Sequence, residues 1–176
     1  EGLQYAAYLC PCCHRLGTIE TSGDDISCSC GLKARYNQYG RFESTQLPFD
    51  NMIGWNQFQK QWLTANAPSL RTVTAEPIAA DEHFNVTRIA DGVKTDMDSD
   101  ATLAIYGDRL EISFPDGAHD KIAYNLSEVT GVGNFMARSV YFNCGQNLRY
   151  QLVAHHTVSV LKYYALWRVL TGREYL

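Results

Sequence analysis

The chain lacks any apolar run of the ~18–20 residues that a membrane-crossing helix needs. It also lacks the charged, then apolar, then small-residue pattern of a secretory signal. Charge is sparse, 19% of 176 residues, and cations are not in excess: 15 Lys and Arg stand against 19 Asp and Glu, a formal net charge of −4. Nucleic-acid binding relies on clustered Lys and Arg at the phosphates. Here Arg15, Lys33, Arg35 and Arg41 are offset locally by Glu20, Asp24, Asp25 and Glu43, so no nucleic-acid partner is expected. The 45% hydrophobic content is that of an ordinary globular chain. The sequence starts at Glu1 without a methionine, as a piece of a longer protein does.

Cysteine is scarce everywhere but one place. Five of the six lie between positions 10 and 30, and Cys144 stands apart. Leu9-Cys10-Pro11-Cys12-Cys13-His14 and Cys28-Ser29-Cys30-Gly31-Leu32 read as two knuckles joined by a polar, turn-rich loop. Each knuckle supplies two sulfurs from one tight turn, which is what a tetrahedral thiolate site requires. The most economical set is Cys10, Cys13, Cys28 and Cys30, with Gly31 freeing the backbone after the second pair. Zinc is the default occupant, because it accepts four thiolates without redox chemistry. Iron in the same cage is the alternative in recombinant material. Cys12 in place of Cys10 or Cys13, His14 in place of a thiolate, and disulfides remain open at this point. A four-ligand site has no position for substrate, so it is structural, and clustered thiols of this kind point to a reducing cytoplasm.

Residues 17–20 and 25–27 read as a hairpin turning at Ser22-Gly23-Asp24, followed by an alternating third strand over 32–42. A zinc ribbon over residues 1–45 is expected, its folding energy drawn largely from the metal. A linking helix over about 51–64, capped by Asp50 or Asn51, should end ahead of Ala67-Pro68-Ser69. The segment 46–80 is thus helix and connector. Trp55, Phe58 and Trp62 share one face of that helix, either as core or as a docking stripe for a membrane or partner.

From 81 onward seven short strands are expected: 83–90, 101–106, 109–114, 121–124, 128–132, 139–143 and 148–153. Turns at 107–108, 115–117, 133–134 and 145–147 divide them. A final amphipathic helix over 157–170 closes the chain, stopped by Gly172. The fold class is mainly β with two helices: a rubredoxin-like ribbon, a linking helix, and a pleckstrin-homology-like barrel with its C-terminal helix over 81–176. Asp96-Met97-Asp98-Ser99-Asp100 has the opening rhythm of a calcium loop but lacks its sixth-position glycine and twelfth-position glutamate. It reads as a solvated acidic loop. His155-His156 is placed at the start of the final helix, where adjacent histidines diverge. Cys144 reads as a small buried hydrophobe.

The two knuckles, Tyr36-Asn37-Gln38-Tyr39-Gly40, the Gly54-Trp55-Asn56-Gln57-Phe58-Gln59 helix and the end around Tyr163-Tyr164-Ala165-Leu166-Trp167 together resemble the cysteine-rich tail of certain bacterial 1-acyl-glycerol-3-phosphate acyltransferases. The resemblance implies a non-catalytic accessory region in phospholipid synthesis, with a catalytic acyltransferase domain in the same chain. It also implies the metal set Cys10, Cys13, Cys28 and Cys30. That family's catalytic signature is a His followed, after four intervening residues, by Asp. His14, His83, His119, His155 and His156 are followed there by Ile19, Arg88, Tyr124, Val160 and Leu161. No acyl transfer is expected from these residues, and no catalytic residue is assigned. The expected role is docking at the inner membrane face or to a protein partner; the alternative is a stand-alone protein–protein adaptor.

Overall fold

Glycine and tight turns set the first sheet. Gly23, at φ 60°, lets β1 (Ile19–Ser22) fold directly back as β2 (Asp25–Cys28), and β3 (Lys33–Tyr36) and β4 (Phe42–Glu43) follow in antiparallel order. This is a computed structural model, and it describes residues 2–115 and 119–173. A one-turn helix α1 (Leu3–Ala6) precedes the sheet, so the described residues hold three α-helices where two were expected. Ile19, Ile26, Leu32, Ala34 and Phe42 form the small core of the sheet, with Trp55 closing it.

Helix α2 (Met52–Leu70) begins where Asn51 accepts the N–H of Gly54 through its side chain at 2.9 Å. It runs past the expected end near 64 and carries Pro68 inside it. Proline there removes one late hydrogen bond, but Leu63 and Ala67 are buried in the larger core, and that packing outweighs the local preference.

The second sheet has β5 (Ala79–Ala90), β6 (Val93–Ile105), β7 (Arg109–Ser113), β8 (Ile122–Asn125), β9 (Val129–Phe135), β10 (Ser139–Cys144) and β11 (Leu148–Ala154). Their order is β8-β7-β6-β5-β11-β10-β9, all neighbours antiparallel. The sheet curls around Phe84, Leu103, Ile112, Phe142 and Leu152, and α3 (Leu161–Leu170) adds Tyr163, Leu166 and Val169 to that core.

Several boundaries differ from expectation, each for a local reason. Asp91-Gly92 is a two-residue turn with φ of 50° and 80°, the geometry that matches the twist of a hairpin. It sends residues 93–100 straight back along β5, with Thr87 opposite Asp96 and Val86 opposite Asp98. The acidic segment is therefore strand, neither a solvated loop nor the start of a calcium loop. Gly133-Asn134, expected as a turn, lies inside β9; with no Cβ, Gly133 lets the ring of Tyr141 lie against the backbone. His155 and His156 follow β11 in a bend, and the helix starts only at Leu161. The turn expected at 115–117 lies partly outside the described residues.

Candidate metal centre and the seam around it

Each knuckle is closed by backbone hydrogen bonds. His14 N–H donates to Cys10 O and Cys10 N–H to Arg15 O, both at 3.0 Å. Gly31, at φ 99°, donates to Cys28 O at 2.9 Å, and Cys28 N–H reaches Leu32 O at 3.1 Å. These turns bring Cys10 Sγ within 3.6 Å of Cys30 Sγ, and Cys13 Sγ within 3.8 Å of Cys28 Sγ. All four sulfurs lie within 4.8 Å of one another. A tetrahedral ion with bonds of ~2.3 Å to sulfur separates its ligands by about 3.8 Å. Four Cys are thus positioned to hold a metal ion. The sulfurs are too far apart to be bonded to each other, and all six cysteines are free.

Cys12 and His14 stand outside this group. Cys12 is exposed, with its sulfur 3.8 Å from Gln46 O. His14, left-handed at φ 58°, stacks its ring on Trp62 at 5.3 Å and Phe58 at 6.0 Å. Among the described residues, the four cysteines are the one group of three or more His, Cys, Asp or Glu whose donor atoms converge this closely.

The environment differentiates the thiols. Burial pushes the Cys10 thiol well up. Burial also opposes ionisation of Cys28, but the Cys30 N–H and the Thr18 hydroxyl outweigh it and bring this thiol down to about 6. Cys28 is thus prepared to present a thiolate to a cation. Distant from this centre, burial pushes Cys144 up to about 12, the behaviour of an inert packed thiol.

On the aromatic face of α2, Trp55 serves the interior. Trp55 is fully enclosed, its indole N–H donating to Leu9 O at 3.0 Å, so it presents no surface to a partner. Phe58 and Trp62 are half-buried against the cores. Beside them is a residue that sequence reasoning missed. Gln59 is fully buried; its Oε1 accepts the N–H groups of Tyr8 at 2.8 Å and Leu9 at 3.0 Å, and its Nε2 donates to Ala6 O at 3.0 Å. A polar residue one helical turn after Trp55 was the available signal.

A second polar group fixes α3 to the curled sheet beneath the ribbon. Lys162, 2% exposed, donates to Asp81 Oδ1 at 2.8 Å, and Tyr163 donates to Asp81 Oδ2 at 2.6 Å and to Leu103 O at 2.9 Å. A Cβ on Gly17 would sit 2.9 Å from the Lys162 ammonium, so the ribbon backbone passes directly over it. Ser159 Oγ also donates to Tyr5 O at 2.7 Å. Ribbon and sheet therefore pack together. Among the described residues, no helix is long and apolar enough to cross a membrane.

No family model matches the chain, and no curated protein does. Among solved structures it is similar to the Vps36 N-terminal PH domain, at 15% identity and a TM-score of 0.43, over 55% of this chain and 80% of that one. It is also similar to the C-terminal domain of an unknown protein from Leishmania infantum, at 13% identity and a TM-score of 0.37, over 63% of this chain and 96% of that one.

Proposed function

We propose that this chain is a non-catalytic docking module in which a structural zinc holds together a ribbon that packs against a pleckstrin-homology-like sheet. The observation that carries this is the four-thiolate cage. Cys10, Cys13, Cys28 and Cys30 would fill every position of a tetrahedral ion, which suits a structural site and leaves none for a substrate. Zinc fits the spacing and the donor set, and iron is the competitor for the same sulfurs. The pleckstrin-like reading is supported by seven antiparallel strands followed by one packed C-terminal helix.

The finer assignment rests on the sequence resemblance alone. In it, the module accompanies a catalytic acyltransferase domain of the same chain and orients it at the inner membrane face or on a protein partner. Flotation with neutral and with anionic vesicles tests the membrane arm. Recovery of the protein with vesicles supports it; protein left in the bottom fraction with both lipid mixtures counts against it and favours a protein partner.

A further inference from the structure

The seam between the ribbon and α2 holds a feature that the metal centre does not use. His14, Arg15, Leu16 and Thr18 from the ribbon, Trp62 and Leu70 from α2, and Val73 and Ile78 from the connector line an open cleft of about 390 Å³. This lies within the range of small-ligand sites, and five of its eight lining residues are apolar. Its boundary is fixed by backbone anchors on one side and ring stacking on the other. Val73 O accepts the N–H of Gly107 at 2.7 Å, and Arg71 donates to Val169 O at 2.7 Å and Leu170 O at 2.8 Å. His14 stays stacked on Trp62. Such a site requires little ordering on binding.

The charge at the rim is of one sign. Arg15 is exposed and has no ion-pair partner among the described residues, and no carboxylate lines the cleft. Glu76 is the one acid on the connector between Leu70 and Ile78. Polar groups beyond the rim are few: the Thr18 hydroxyl is already directed at Arg15 O, 3.5 Å away. An extended peptide entering here would leave its backbone amides without partners, at a cost an alkyl chain does not incur. Arg15 is the one cation among the lining residues, and a guanidinium beside an apolar cleft suits a carboxylate, which it can bind through two parallel hydrogen bonds.

We propose that this cleft binds a single-chain carboxylate amphiphile, its tail among Leu16, Trp62, Leu70, Val73 and Ile78 and its head on Arg15. The inference goes beyond the docking role and requires neither a bilayer nor a catalytic domain. It is tested by calorimetric titration of the full, metal-loaded chain with decanoate and with the neutral analogue decanol. The variants are Val73→Asp, at a position 37% exposed, and Arg15→Glu, with thermal melts to show that both remain folded. Decanoate should bind one to one. Val73→Asp should weaken it by about tenfold or more, and Arg15→Glu by about tenfold for decanoate with decanol unchanged. Equal decanoate binding by all three folded proteins overturns the proposal, as does no saturable binding below about 1 mM. Capture by anionic vesicles without decanoate binding also overturns it, and assigns the surface to a bilayer instead.

Discussion

The indole N–H of Trp55 reaches the carbonyl of Leu9 across 46 residues of sequence, at 3.0 Å, one position before the first metal-site cysteine. With Gln59 bonded to Ala6, Tyr8 and Leu9, α2 holds the segment leading into the knuckle by its backbone as well as by its buried side chains.

Gln59→Leu should therefore destabilise the protein by about 3 kcal/mol, since two N–H groups and a carbonyl lose their buried partner. Trp55→Phe, which removes one donor and keeps most of the packing, should cost about 1–2 kcal/mol. Denaturant melts check both, and a smaller loss for Gln59→Leu than for Trp55→Phe would contradict this ordering.

Elemental analysis should find one metal ion per chain, and Cys→Ser at 10, 13, 28 or 30 should abolish it. Cys12→Ser and Cys144→Ser should retain it. Substituted cobalt should show the visible absorption of a tetrahedral all-thiolate site. Metal retained after changing Cys30 would place the fourth ligand elsewhere.

The Lys162–Asp81 pair gives a signed pH effect. Burial lowers the Lys162 pKa in the folded chain, and Asp81 opposes that lowering. Asp81→Asn removes the opposition and leaves a buried ammonium, which should cost about 3–5 kcal/mol. Between the lowered folded pKa and the ordinary value near 10.5, the unfolded chain binds more protons than the folded one, so stability of the variant should rise with pH. Melts from pH 7 to 10 read the slope, and a falling or flat profile would refute the assignment.

Glu111 predicts the acid limb. Burial raises its pKa, but the hydrogen bonds from Arg109 and Lys121 outweigh this and hold it below the usual carboxylate value. Its contribution is present above about pH 4.5 and is lost as pH falls through the lower folded value. Glu111→Gln should flatten stability against pH below about 4.5, with the rest of the profile parallel to wild type.

Much of the ribbon could be read from the chain because its information is local. Two cysteine knuckles, a Gly-centred hairpin and an alternating third strand specify their own geometry within a few residues. The seven strands and final helix were likewise marked by turns and apolar patterning. What was not legible depended on partners far away in sequence. Residues 93–100 look like an acidic loop until the Asp91-Gly92 turn lays them on β5. Pro68 looks like a helix end until Ala67 is seen in the core. Gln59 and Lys162 look like solvent-facing residues on helices, and only the assembled seam shows them buried. The Trp55 face was legible as apolar, but not which surface would cover it.

The bond from Ser159 to Tyr5 spans 154 positions, and it has a consequence for synthesis on the ribosome. At 5–20 residues per second, the segment around Tyr5 emerges about 8–30 s before its partner in the loop leading to α3. Throughout that interval the knuckles can collect their ion, while Tyr8 and Leu9 have no sheet to cover them. The nascent chain thus passes through a half-clothed stage, in which that short apolar stretch stays open to water until the last helix arrives.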